Sequence, residues 1–146
     1  MGKRRKSREL ALRCLYSLEM FPEQNLKKRL DEIKEDGTAE TVEAFAVELL
    51  TGVKGNQDYF DRLISQYATN WSLERVAVVD RNILRLAIYE MSRRSEELPP
   101  AVCIDEAIEL AKTYGSDDSY RFINGVLNKV KEDLEAGKID SPQKRP

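Results

Sequence analysis

Apolar positions recur along this chain at helical spacing, most densely in Val79 to Met91, where Val79, Ile83, Leu84, Leu86, Ala87, Ile88 and Met91 wrap most of a helix circumference. At about 100° per residue only Arg81, Asn82 and Arg85 gather into a polar sector, so other helices must cover most of this cylinder. The segment is expected to be a central helix with the rest of the chain packed around it. Asp80 and Glu90 interrupt the apolar arc, and a carboxylate there must lie in an end turn or find a partner. For Asp80 the end turn suffices. Val76, Val78 and Val79 are poor helix formers, so a helix starting just before Asp80 leaves its charge at the positive end of the dipole.

Ser7 to Met20 carries Ala11, Cys14, Leu15 and Leu18 at the same period, and Pro22 stops it. Leu26, Leu30 and Ile33 give a short second helix ending near Gly37. Thr38 is placed to cap a third, with the stripe Val42, Phe45, Ala46, Leu49, Leu50 and Val53, and Gly55 to end it. Asn56 restarts the pattern into a fourth, with Phe60, Leu63, Ile64 and Tyr67 facing inwards and Asp58 in its first turn. Trp71, in the link to the central helix, reads as a lid over the core rather than a ligand platform. Beyond Pro99 and Pro100, Ile104, Ala107, Ile108 and Ala111 mark a sixth helix that Gly115 terminates.

The last helix starts near Asp118 or Ser119 and carries Phe122, Ile123, Val126, Leu127, Val130 and Leu134. Asn124-Gly125 would signal a hairpin between alternating strands, but here the flanking period is helical. The glycine is therefore expected inside a helix at a cost of about 1 kcal/mol, where it would permit close backbone approach. From Gly137 the period is lost, and residues 137–146 read as a mobile tail. The fold class is all-α, with about seven helices in one domain over residues 1–136.

At 146 residues with 41% apolar and 34% charged content, one compact soluble domain is expected. No apolar run approaches the roughly twenty residues of a membrane span, and KRRK is not followed by an apolar segment with a cleavage site, so a cytosolic protein with no membrane contact is expected. Cys14 and Cys103, far apart and each among apolar neighbours, read as reduced core residues. With no His, no Gly-rich phosphate loop and no ligand spacing, neither metal nor cofactor is expected. The usual acid-base and nucleophilic constellations cannot be assembled either; Asp105 and Glu106 are adjacent helix residues that point apart. A binding protein is favoured over an enzyme.

The net charge of −2 is polarised: six cations, Lys3, Arg4, Arg5, Lys6, Arg8 and Arg13, against Glu9 give +5 through Arg13 and leave −7 on the remainder. The basic N-terminal arm, residues 1–8, leads into a helix whose N-terminus it opposes electrostatically, which is easier to understand if an anion docks there. A solvated terminus is the bland alternative.

Four blocks together carry a resemblance: the basic start running into RELALRCLYSLE, NWSLERVAVVDRNILRLAIYEM, CIDEAIELAKTYG, and SYRFINGVLNKV. They resemble the NusB family of bacterial transcription antitermination factors over almost the full chain, VDRNILRLAIYE and FINGVLNKV being the most specific parts. The resemblance implies two packed three-helix subdomains around the central helix. It also implies a heterodimer with the ribosomal protein NusE that binds single-stranded box A RNA within the RNA polymerase antitermination complex on ribosomal RNA operons, in a bacterial cytoplasm. Self-association into a homodimer stays open. Related domains also occur fused to RNA cytosine methyltransferases, but no cofactor-binding α/β pattern follows here, so that form is not expected. The alternative is a helical scaffold that recruits proteins and binds no RNA.

Carried over residue by residue, the resemblance places RNA contacts at Lys3, Arg4, Arg5, Lys6 and Arg8 and at Arg121, Phe122 and Asn124. Cations supply affinity for phosphate, while an aromatic or amide can meet an unpaired base. Phe122 is open between stacking and the core. Asp118, beside this surface, should repel phosphate and hold affinity down. For the protein partner the resemblance implies Tyr16, Glu74, Asp80 and Arg81, where acids could pair with arginines of a basic ribosomal protein. Tyr16 is equally readable as a core residue with its hydroxyl at the surface.

Overall fold

The computed structural model describes residues 2–68, 75–93 and 98–139, over which the chain forms seven helices. They are α1 (Lys3–Met20), α2 (Leu26–Ile33), α3 (Glu40–Gly55), α4 (Gln57–Tyr67), α5 (Val78–Ser92), α6 (Pro100–Tyr114) and α7 (Ser119–Glu135). The expected lid Trp71 and the expected partner residue Glu74 lie outside the described residues. Among the described residues no helix is long and apolar enough to cross a membrane.

Helix α5 is the centre, packed against α1, α3, α4, α6 and α7. Ile83, Leu84, Leu86, Ala87, Ile88 and Met91 are all buried, as their spacing demands. Its polar sector is not a solvent face, however. Asn82 and Arg85 are 1% and 3% exposed, because Glu19 of α1 and Asp61 of α4 supply carboxylates over them. Arg85 donates to Asp61 through Nε (2.7 Å) and Nη2 (3.1 Å), and through Nη1 to Glu19 (2.5 Å) and Asn82 (2.9 Å). A buried charge is tolerated when it is paired and hydrogen-bonded on several sides, as here.

Several local expectations are corrected. Helix α1 begins at Lys3, so the basic residues are its first turns rather than an arm leading to it. Ser7 is consequently a buried interior residue, and its hydroxyl donates to Val42 O of α3 (2.7 Å). Thr38 does not cap α3: its hydroxyl donates back to Glu35 O (2.5 Å), and Ala39 occupies the capping position without a side-chain bond. Glu40 and Glu43 in the first turn supply the favourable charge instead, Glu43 also pairing with Lys27 and Lys34.

Gly125 is exposed with open space around it, so it permits no close approach. The close approach is at Gly52, where an added Cβ would lie 2.2 Å from Tyr89 Cζ. That ring meets Phe60 edge to face, with centroids 6.3 Å apart. Residues 137–139, expected to open a mobile tail, instead close α7 and pack on the core. Gly137 adopts φ 72° and donates to Leu134 O (3.2 Å), while Lys138 N reaches Asp133 O (2.8 Å), the paired bonds by which a left-handed glycine closes a helix. Ile139 then packs on the core, and residues 140–146 lie outside the described residues. Cys14 and Cys103 are free and buried, and burial pushes their thiols up to about 11 and about 12.

Candidate nucleic-acid and partner interface

The basic run of α1 splits by helical position. Lys3, Arg4 and Lys6 are exposed, and Lys3 and Lys6 line a groove of about 450 Å³ together with Arg13, Leu10, Val42, Tyr114 and residues 35–39. Arg4 lies over the Phe45 ring, 4.6 Å from its centroid. Arg5 and Arg8 turn the other way, towards α5 and α6. Arg5 donates to Glu106 through Nε (3.1 Å) and Nη2 (2.8 Å). Arg8 forks onto Glu90 (2.7 and 3.0 Å) and touches Glu106 through Nη1 (3.3 Å).

Arg8 is therefore a correction to the expected RNA surface: at 4% exposure its guanidinium belongs to the interior. It is the partner that Glu90 required. Hydrogen bonding to Arg5, set against partial burial and joined by the charges of Arg5 and Arg8, holds the Glu106 carboxyl below the usual carboxylate range.

At the other expected RNA site, Asp118, Arg121 and Asn124 are exposed and Phe122 is half-buried, its ring packed on the edge of the core. Asp118 stands at the capping position of α7 but makes no side-chain cap bond. Ser119 orders this turn instead, its Oγ accepting from Ser116 N (2.9 Å). Sequence reasoning missed Tyr120. Arg121 donates to its hydroxyl (3.1 Å) and lies 5.6 Å from its ring centroid, while Lys112 sits 5.7 Å from that centroid. An aromatic flanked by two cations is suited to a base and its phosphates. Only the tyrosine's place beside Arg121 signals this in sequence, because Lys112 belongs to the preceding helix.

The end of α6 touches both basic patches: Tyr114 lines the α1 groove and Lys112 reaches Tyr120.

On the partner side, Tyr16 is 42% exposed, which makes it a surface residue. It lines an apolar groove of about 370 Å³ with Leu12, Arg13, Ile33, Val79 and Tyr114. Arg81 is held by Glu19 (3.2 Å) and donates to Val76 O (3.3 Å). Asp80 is a second correction. It is 8% exposed, and burial raises its carboxyl above the usual range against the opposing effect of a hydrogen bond from Ser119. Its position in the first turn of α5 is the expected one, and it faces Ser119 of α7.

Among the described residues no group of three His, Cys, Asp or Glu side chains could hold a metal ion.

The transcription antitermination proteins NusB of Bacillus thuringiensis (strain Al Hakam) and Bacillus anthracis are each 42% identical over 132 residues, covering 90% of this chain and 99% of theirs. Among solved structures, NusB of T. maritima superposes with a TM-score of 0.83 at 36% identity, covering 97% of this chain and 94% of that one. A complex of the antitermination factors NusB and NusE with dsRNA has the same fold, with a TM-score of 0.79 at 24% identity over 90% of this chain and 98% of that one. A model of the NusB family matches residues 5–132, and with relatives this similar over nearly their whole length the chain belongs to the NusB family.

Proposed function

We propose that this chain is a transcription antitermination factor that binds single-stranded box A RNA as a heterodimer with the ribosomal protein NusE. In this role it joins the antitermination complex on RNA polymerase and supports transcription of ribosomal RNA operons in the bacterial cytoplasm. The observation that carries the reading is the pair of basic, aromatic patches on a NusB framework: Lys3, Arg4 and Lys6 on α1, and Arg121 beside Tyr120 and Phe122 on α7. Its relatives are named for transcription antitermination, and NusB stands with NusE and dsRNA in a complex of the same fold.

In this reading the cations neutralise phosphates, which gives affinity without sequence preference. Tyr120, and Phe122 at the rim of the core, meet unpaired bases, which a paired helix would not offer. NusE docks at the seam that includes Tyr16 and its apolar groove, with Arg81 at the edge. Nothing in this scheme breaks or forms a covalent bond, so the protein acts by binding.

Titrating a labelled box A RNA with this protein, with and without NusE and at two salt concentrations, tests the reading. Expected are salt-dependent binding and tighter binding when NusE is present. Failure to bind box A RNA under either condition, with NusE still captured, would leave the protein-recruiting scaffold as the function.

A further inference from the structure

Four side chains of alternating charge run inwards from the surface of α1 in the order Arg5, Glu106, Arg8, Glu90. Exposure of their side chains falls from 39% and 18% to 5% and 6%. The inner pair is a fixed part of the fold. The outer pair is not: Arg5 grips Glu106 side-on, through Nε and Nη2, which leaves its Nη1 edge uncommitted to that carboxylate.

We propose that Glu106 sets the RNA affinity of this protein by sharing Arg5 with phosphate, so that α1 neutralises fewer phosphates than its basic sequence suggests. The inference rests on the RNA-binding reading above. Three observations support it. The quartet has no net charge, so two of the six cations before Cys14 are cancelled where they stand. Glu106 stands directly behind Arg5 in the row, where a phosphate bound to Arg5 would sit within a few Å of its charge and be only partly screened from it. And the fold does not need this acid to hold Arg8, whose two short bonds go to Glu90 while its contact with Glu106 is the longest of the set at 3.3 Å. The carboxylate is ionised at neutral pH, since Arg5 holds it below the ordinary range.

Glu106→Gln in the full chain tests this directly, because the amide keeps an acceptor for Arg5 and loses the charge. Labelled box A RNA and a scrambled single strand of equal length are the probes, each with NusE present. Both should bind more tightly, by about threefold to tenfold at about 50 mM salt, and the gain should shrink as salt rises. The slope of log affinity against log salt should steepen by about 0.7, the value for one further phosphate on a single strand. A second comparison does not depend on that variant folding: Arg5→Ala with Glu106→Ala removes the pair without changing the net charge, and should leave affinity within about twofold of the native chain, whereas Lys6→Ala should weaken it severalfold. If the native chain binds box A RNA and Glu106→Gln binds it equally or less tightly, or if removing the pair costs as much as Lys6→Ala, the inference is overturned and the RNA reading stands. If the native chain binds neither RNA, both fall.

Discussion

Arg8 of α1 and Glu90 of α5 meet in a side-on fork, Nε to Oε1 at 2.7 Å and Nη2 to Oε2 at 3.0 Å, with both side chains almost wholly buried. A basic stretch that looks like a surface feature therefore reaches into the interior. The fork joins the first helix to the central one. In the last turn of α1 Glu19 does the same through Arg81 and Arg85. Burial alone would raise the Glu19 carboxyl, but the hydrogen bonds and charges of the two arginines hold it below the ordinary range.

Removing one partner of the buried fork should be far more harmful than removing both. Arg8→Ala strands the Glu90 carboxylate in the core, and a loss of roughly 3–5 kcal/mol is expected in urea unfolding. The double change Arg8→Met with Glu90→Leu should recover most of that loss, because no unpaired charge remains. A single variant as stable as the native chain would mean that the pair relaxes to solvent.

How much of this was legible in the sequence depended on the range of the interaction. The burial of α5 followed from the spacing of Ile83, Leu84, Ala87 and Met91, because a period is local. The partner of Glu90 did not, since Arg8 lies 82 positions away and nothing local distinguishes it from Arg5. Asp80 was correctly placed in an end turn, but a buried face against Ser119 depends on the docking of α7, which no local pattern reports. At Gly137 the loss of the apolar period suggests a tail, although a glycine just after a helix is also its closing signal.

The exposed cations give a counter-ion prediction. If Lys3, Arg4, Lys6 and Arg121 each meet a phosphate, log affinity for box A RNA should fall with log salt at a slope of about −3. Lys3→Ala with Lys6→Ala should make the slope shallower by about 1.4 and leave the melting temperature nearly unchanged, since both side chains are exposed. A slope unaffected by the double change would remove this edge of α1 from the RNA path.

Two glycines in helices should respond oppositely to alanine. Gly52→Ala drives a Cβ into the Tyr89 ring and should cost roughly 1–3 kcal/mol, part of it restored by Tyr89→Leu. Gly125→Ala meets nothing within 4 Å and should stabilise α7 by up to about 1 kcal/mol. Thermal or urea melts of the three variants check both signs.

Asp118→Asn should tighten RNA binding while leaving stability almost unchanged. The side chain is exposed and makes no cap bond, so its loss of charge removes a repulsion and little else. The gain should be severalfold at low salt, on the order of 1 kcal/mol, and smaller at high salt. Unchanged binding at low salt would place Asp118 away from the phosphates.

Asp80 separates a folding role from a partner role through pH. Burial raises its folded carboxyl above the unfolded value of about 3.9, so the stability it lends is complete below that value and is lost as pH rises through the folded one. Glu19 and Glu106 have the opposite sign: their contribution is present above about 4.3 and is lost as pH falls through their depressed folded values. At pH 7 the buried Asp80 carboxyl is thus a cost, aggravated by its Oδ1, which is buried without a hydrogen-bond partner. Asp80→Asn should raise the melting temperature at pH 7, by roughly 3 °C for about 1 kcal/mol, and the difference should vanish near pH 3 while acid unfolding driven by Glu19 and Glu106 persists. Because the carboxylate faces α7, NusE affinity should change less than it does for Tyr16→Ala. A large loss of NusE binding in Asp80→Asn, without a gain in stability, would return Asp80 to the partner surface.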